Sequence, residues 1–384
     1  MTVPIESTDG AVRFRSETAA GRTPQAEVGV LAAGPAGPAA AVISAHAPFD
    51  ALLQAPALPL AELDEELRAQ LPALITHLAL PWVIQGDQVA WRDGAARAQA
   101  VDLDAARVSA ALAAAAPVGS TGFAAAAACL VHSSLLVTST NAVLRACAAA
   151  GARPPLALLA HCQSAGRGRR QRAWHGRWRE PILMSLLVDT GRPLRELPGL
   201  PLVAGLAVAQ ALVELTGLPP GRQGIGLKWP NDLVHGQGKL GGLLVEAVAG
   251  GGSGAGTGDG ARAVIGLGLN WLAPKTLQAA AGQPVAALAH LPGLDGRDRA
   301  QVAGRVLAHL LAAVARFRLE GLAPVLAQVA AFDVLAGRSV RVVAGAAGPA
   351  HGIALGLAAD GALRVRHGQT ERRYHSAEVS VRPA

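Results

Sequence analysis

The chain has 384 residues, 51% of them hydrophobic and 16% charged, with 34 Lys and Arg against 27 Asp and Glu for a net charge of +7. That length accommodates two or three domains with a sizeable core, and the apolar content excludes a disordered chain. Three cysteines (Cys129, Cys147 and Cys162), with no C-x-x-C spacing, argue against a disulfide scaffold or a zinc ribbon.

Residues 1–45 are polar and then rich in Ala, Gly and Pro, and they read as a flexible arm. Glu6, Asp9, Glu17 and Glu27 make this segment unlike a secretory signal. From 58 to 78, leucines and Ile75 recur at helical spacing, interrupted by Pro72. Two short strands are expected at 82–85 and 88–92 around a Gly86-Asp87 turn, then a helix over 102–115. These elements form a small module at 46–125. Its stretch 50–110 holds nine acids against four arginines, a net charge of −5. The uncharged run 108–131 is mostly Ala and is broken by Pro117, Gly119 and Gly122, which favours a helix and turn over a membrane span. A soluble, cytoplasmic protein without a membrane segment is expected.

The central region, 126–330, alternates apolar runs with loops and helices. Strands are expected at 135–137, 156–160, 182–188, 227–229, 240–248 and 263–269. Helices are expected from the N-cap chemistry of Ser139-Thr140 to near Gly151, over 202–217, and over 300–318. Residues 250–260, nearly all Gly, Ser, Ala and Thr, read as a flexible connector. From 331 to 384 the pattern changes to five short strands at 339–343, 352–356, 362–366, 372–375 and 378–381. Asp360-Gly361 is a hairpin turn signal, and the whole suggests a small barrel.

Three segments carry chemistry. The first runs from Gly166 through Arg167, Gly168, Arg169, Arg170, Gln171 and Arg172 to Trp174, and residues 161–180 are net +5. Its glycines allow close backbone approach, its arginines fork onto carboxylate or phosphate, and Trp174 offers a stacking face. It is neither a Walker loop nor a dinucleotide fingerprint. Its chemistry alone leaves nucleotide or anion binding open beside an exposed basic loop or a nucleic-acid patch. The other two segments, Lys228-Trp229-Pro230-Asn231-Asp232 and Lys239-Leu240-Gly241-Gly242, hold two of only three lysines in the chain, the third being Lys275. In a chain that uses 31 arginines, a retained Lys marks a place suited to a compact ammonium.

With Ser139-Thr140-Asn141, Gln163 and Gly266-Leu267-Gly268-Leu269-Asn270, these segments resemble the bacterial biotin protein ligases, from about residue 135 to 271 and more weakly to the C-terminus. The resemblance implies an α+β chain: a mixed-sheet catalytic domain of the biotin/lipoate ligase type at 126–330, a small SH3-like barrel at 331–384, and a degenerate winged-helix-like N-terminal domain. It implies that biotin and MgATP react to biotinyl-5′-AMP, from which biotin passes to a lysine of the biotin carboxyl carrier protein of acetyl-CoA carboxylase. Lipoate-type protein ligases share the fold, but the Arg-rich loop and the Lys-Trp-Pro-Asn-Asp turn favour biotin.

The resemblance also implies roles for individual side chains. Ser139, Thr140, Asn141 and Gln163 would hold the ureido end of biotin, with Arg167, Gly168, Arg169 and Lys228 along its tail and phosphate. Lys228, Arg169, Lys239 and Asp232 are the catalytic candidates. Arg169, Arg172, Trp174, Asn231, Lys239 and Asn270 are the nucleotide-binding ones, with Trp174 on adenine. Asp232 is the one candidate ligand for Mg²⁺. Three positions depart from the family's pattern: Gln171 stands for a Gly, Arg179-Glu180-Pro181-Ile182 for Gly-x-Asn-Leu, and Ser376-Ala377-Glu378 for Gly-Gly-Glu. Some relatives also repress transcription through the N-terminal module. A domain meeting DNA phosphates should be basic, so the acidic 50–110 argues against DNA as a partner. A homodimer is neither indicated nor excluded by these residues.

Overall fold

The computed structural model describes residues 38–116, 123–248, 260–344, 349–375 and 379–383. The Gly-rich connector at 250–260 therefore lies almost wholly outside the described residues, as do Ser376-Ala377-Glu378 and the arm up to residue 37. The expected arm does not extend over 38–45, because Pro38–His46 is a helix. Its Ala39 and Ile43, with Ala47 just after it, pack against Val143, Leu144 and Cys147 of the helix Thr140–Ala149.

The N-terminal module contains three short antiparallel strands, β1 (Ala57–Pro59), β2 (Trp82–Gln85) and β3 (Gln88–Trp91), ordered β1-β3-β2. The helix expected over 58–78 is divided: its first residues form β1, and the helix proper is Glu65–His77. Asp64 sets that start, its carboxylate accepting from Leu67 N at 2.7 Å. The helix turns Leu67, Leu71 and Leu74 inward and leaves Glu65, Glu66 and Arg68 exposed. Phe49, Trp82, Trp91 and Trp178 cluster with ring centroids 4.7–6.3 Å apart. Their cluster includes Leu135, Leu136 and Cys162, so the module shares a core with the central sheet.

That sheet has seven strands: β4 (Leu130–Val137), β5 (Leu156–Gln163), β6 (Pro181–Asp189), β7 (Ile225–Lys228), β8 (Asp232–His235), β9 (Gly238–Val248) and β10 (Arg262–Asn270). Their order is β4-β5-β6-β10-β9-β8-β7, with only β4 and β5 parallel. Central strands read as unbroken apolar runs because both faces are covered. Leu156, Leu158 and Ala160 of β5 face the helix Thr140–Ala149, while Ala157 and Leu159 face the opposite core. That core holds the helix Leu200–Thr216, buried nearly all round, and the amphipathic helix Arg299–Glu320. A capping box of Asp298 and Gln301 starts the latter. By length and composition Leu194–Thr216 is apolar enough to cross a membrane, but 78% of its most apolar stretch is buried inside the fold.

Besides Pro38–His46, the elements outside those expected include β8, a four-residue strand that begins inside the Pro-Asn-Asp turn, and the helices Gly94–Ala100, Lys275–Ala281 and Ala323–Phe332. The C-terminal sheet comprises β11 (Ser339–Ala344), β12 (Pro349–Leu357), β13 (Leu363–His367), β14 (Thr370–Tyr374) and β15 (Val379–Pro383), all antiparallel in the order β14-β13-β12-β11-β15. Trp229 ties it to the central sheet: the ring is buried, and Nε1 donates to Gly361 O at 3.1 Å.

Candidate active site

The floor of the site is a chain of polar groups just beyond β4, at the end of β5 and in the middle of β6, uncharged except for Glu246 of β9 behind it. Ser139, Thr140 and Asn141 open a helix whose first turn is buried. Thr140 N donates to Gln163 Oε1 at 2.7 Å, and Thr140 Oγ1 lies 3.0 Å from the same oxygen. Ser185, fully buried on β6, places Oγ 2.7 Å from Thr140 Oγ1 and 2.6 Å from Asn141 Oδ1. Asn141 Nδ2 donates to Glu246 Oε2 at 2.7 Å and to Leu244 O at 3.2 Å. Gly266 makes this packing feasible, since a Cβ there would lie 2.2 Å from Asn141 Oδ1.

The Arg-rich segment is a hairpin over this floor. Trp174 N donates to Gly166 O at 2.9 Å and Gly168 N to Arg172 O at 2.7 Å. Arg170 and Gln171 form its tip with φ of +56° and +58°. Two consecutive left-handed residues make the tight turn that Asn-Gly normally supplies. The Gln in place of Gly thus sits where a left-handed backbone is required. Arg167, Arg170 and Arg172 are exposed, whereas Arg169 is half-buried with Nη1 donating to Asn231 Oδ1 at 3.2 Å.

The unusual exit from the hairpin has a structural explanation. Trp178 N donates to Leu78 O at 2.8 Å, and its ring stacks on His161 at 4.9 Å. Arg179, at φ +62°, pairs with Asp102 at 2.9 Å. Asp102 is also gripped by Arg299, which is 1% exposed and donates through Nη1 to Pro181 O at 3.1 Å. Burial, reinforced by the Arg299 charge, pushes His161 down to about 3, so this imidazole is a neutral structural group.

Lys228 and Asp232 face each other across β7 and β8. Asp232 Oδ1 lies 2.7 Å from Lys239 Nζ, and that ammonium stands 5.4 Å from the Trp174 ring centroid. Trp174 lies against Gly268, where a Cβ would be 2.4 Å from the ring. Asn231 Nδ2 donates to Leu243 O at 2.7 Å, and the buried Asn270 donates through Nδ2 to Lys239 O at 2.8 Å. Ser139, Thr140, Asn141, Gln163, Arg167, Gly168 and Trp174 line one cleft, while Lys228, Asn231 and Asp232 line a second; Arg169, Lys239 and Asn270 line neither. Neither cleft lining includes Arg172, which projects from the hairpin. Ser185 and Glu246, both central to the floor, escape sequence reading because no motif spacing joins them to Asn141.

Residues 135–270 match the Biotin/lipoate A/B protein ligase family, and residues 336–382 match the Biotin protein ligase C terminal domain. The chain is 32% identical over 228 residues to the Bifunctional ligase/repressor BirA of Escherichia coli K12, an alignment covering 59% of this chain and 67% of that protein. It is 36% identical over 185 residues to the Biotin--[acetyl-CoA-carboxylase] ligase of Mycobacterium tuberculosis, covering 47% of this chain and 62% of that protein. The fold matches the Biotin protein ligase from Aquifex aeolicus in complex with biotin and ATP at a TM-score of 0.53 and 23% identity, covering 66% of this chain and 99% of that one.

Proposed function

The chain belongs to the biotin/lipoate A/B protein ligase family, and from that premise we propose that it joins biotin to ATP as biotinyl-5′-AMP and passes biotin to a lysine of a biotin carboxyl carrier protein. The observation that carries this reading is one adjacency. A cleft lined by the neutral Ser139, Thr140, Asn141 and Gln163 adjoins the cleft of Lys228, Asn231 and Asp232 through the Asn231–Leu243 hydrogen bond, and Asn231 and Asp232 in turn hold Arg169 and Lys239. A neutral ureido ring suits the first region, and a carboxylate with a triphosphate suits the second.

In the first step a biotin carboxylate oxygen attacks the α-phosphorus of MgATP and pyrophosphate leaves. Negative charge concentrates on the α-phosphate, where Lys228 and Arg169 would stabilise it electrostatically. Lys239, held by Asp232, would serve the same phosphates. In the second step the carrier's lysine amine attacks the acyl carbonyl, its proton is lost and AMP departs. Trp174 would cover the adenine, and the exposed Arg167 and Arg172 would close the hairpin over the anion. Asn231 positions Arg169, and Asn270 fixes the backbone of Lys239.

Among the described residues no three His, Cys, Asp or Glu side chains gather as a metal-binding group, and Asp232 is already paired with Lys239. The residues do not fit a resident magnesium ion. Magnesium enters with the substrate as MgATP.

We assign residues 46–125 to a winged-helix-like module, 126–330 to catalysis and 331–384 to a C-terminal SH3-like domain, in a cytoplasmic enzyme. The strand order β1-β3-β2 around the helix Glu65–His77 supports the first assignment. A repressor role has no comparable support, because that helix exposes Glu65 and Glu66 in its first turn. The test is incubation with labelled biotin, MgATP and apo carrier protein, where absence of label transfer ends the ligase reading. Lys228→Ala should abolish biotin-dependent pyrophosphate release while the fold is retained, and near-normal release would refute its role.

A further inference from the structure

We propose that Glu246 is a positioning and specificity-determining residue of the biotin cleft, acting through Asn141 and Ser185 to fix the direction in which the floor's protons point. This rests on the biotin reading above.

The number of protons available fixes the sense of this network. Glu246 stands 2.7 Å from Asn141 Nδ2, and its carboxylate can only accept. Together with Leu244 O it takes both hydrogens of that amide, so Asn141 is fixed with Oδ1 turned toward Ser185. Three oxygen–oxygen contacts then follow in a row: Asn141 to Ser185 at 2.6 Å, Ser185 to Thr140 at 2.7 Å, and Thr140 to Gln163 at 3.0 Å. Only two hydroxyl protons exist to fill them. Ser185 gives its single proton to the nearer acceptor, Asn141 Oδ1, and the Thr140 proton goes to Ser185 Oγ or to Gln163 Oε1, so that Thr140 Oγ1 keeps a lone pair in either case. Gln163 Oε1 is held by the Thr140 backbone N–H at 2.7 Å, which leaves the Nε2 hydrogens of Gln163 for a ligand.

The result is a floor with a fixed sense. It offers donor hydrogens from Gln163 to a carbonyl and leaves lone pairs on Asn141 Oδ1 and Thr140 Oγ1 for N–H groups. A ureido ring, with one carbonyl between two N–H groups, matches that sense. If the anchor is neutralised, only the longer bond to Leu244 O still holds this sense, so Asn141 is freer to turn over and reverse the Ser185 proton. Arg145 Nη1, 3.1 Å from Glu246 Oε1, holds the carboxylate from the solvent side. An unpaired buried donor or acceptor is costly, so a reversed floor should discriminate strongly against the ureido ring.

The experiment measures binding of biotin, of 2-iminobiotin (whose ring carbonyl oxygen is replaced by an imino group, the tail being unchanged) and of ATP. It uses the full chain and its Glu246→Gln and Glu246→Ala variants. The expected result for Glu246→Gln is biotin affinity reduced about tenfold, 2-iminobiotin changed by less than about threefold, and ATP unchanged. Glu246→Ala should lose biotin affinity further, again with ATP affinity retained. An unaltered preference for biotin over 2-iminobiotin in Glu246→Gln overturns the proposal while leaving the ligase reading intact. Equal loss of all three ligands also overturns it, as the mark of a general structural defect. Failure of the wild-type chain to bind biotin overturns both readings together.

Discussion

Lys239 Nζ lies 2.7 Å from Asp232 Oδ1 and 5.4 Å from the ring centroid of Trp174, so a single ammonium joins the Lys-Trp-Pro-Asn-Asp turn to the Arg-rich hairpin. The space around it is tight, since a Cβ on Gly242 would stand 3.2 Å from Nζ. Removing the charge in Lys239→Ala should slow biotin-dependent pyrophosphate release by about 10²–10³-fold, as for loss of one preorganised stabilising group. Lys239→Arg should recover little of this, because a planar fork needs room that the compact ammonium does not. Steady-state pyrophosphate assays on both variants decide the point. An Arg variant close to wild type would overturn the argument from ammonium size.

Gln171 holds φ +58° beside Arg170 at +56°, at the tip of the hairpin that covers the cleft. A left-handed non-glycine residue costs about 1–2 kcal/mol, whereas Gly adds about 0.5–1 kcal/mol of unfolded-state entropy. Gln171→Gly should therefore favour the ordered hairpin by roughly 0.5–1 kcal/mol. Trypsin cleavage within 167–172 reads this directly, and it should slow by about two- to fivefold in the Gly variant. Faster cleavage would show that the turn is not under strain.

The parts of this structure legible in the sequence are those with a short period. The strands β5, β6, β9 and β10 and the helices Leu200–Thr216 and Arg299–Glu320 follow from apolar runs and helical spacing within a few residues. The strand β8 was hidden because its first residue, Asp232, belongs to a turn motif. At the site, Lys228, Lys239 and the arginines announced themselves by charge and by the scarcity of lysine. The partners that set the floor and the hairpin's exit did not: Glu246 is 105 residues from Asn141, and Asp102 is 197 from Arg299. Only the packing of helices on the sheet brings these partners together.

The Asp102–Arg299 pair is fully enclosed on the Arg299 side, with Arg299 1% exposed. Burial alone would raise the Asp102 carboxyl, but the hydrogen bonds and charge of Arg299 outweigh it and hold the group below the ordinary carboxylate range. Its contribution to stability is thus present above the unfolded value near 4 and is lost as pH falls through the lower folded value. Asp102→Ala strands a buried guanidinium and should cost about 3–5 kcal/mol in urea unfolding. Replacing both partners, Asp102→Leu with Arg299→Met, should cost less than either single change. A double variant as unstable as the sum of the singles would contradict this.

Asp50 behaves in the opposite sense. Burial raises its carboxyl to about 6, against the partial relief of the Leu135 backbone N–H that it accepts at 2.8 Å. Between the unfolded value near 4 and the folded value the native state binds the extra proton, so stability falls as pH rises through this window and levels off above it. The full shift corresponds to about 3 kcal/mol, at roughly 1.4 kcal/mol per unit, before solvent access reduces it. Asp50→Asn keeps an oxygen for Leu135 N but carries no charge. It should stabilise the fold by about 1–2 kcal/mol at pH 7.5 and have little effect at pH 4. Chemical unfolding of both proteins at the two pH values tests this. A stability difference independent of pH would show that Asp50 is not the group responsible.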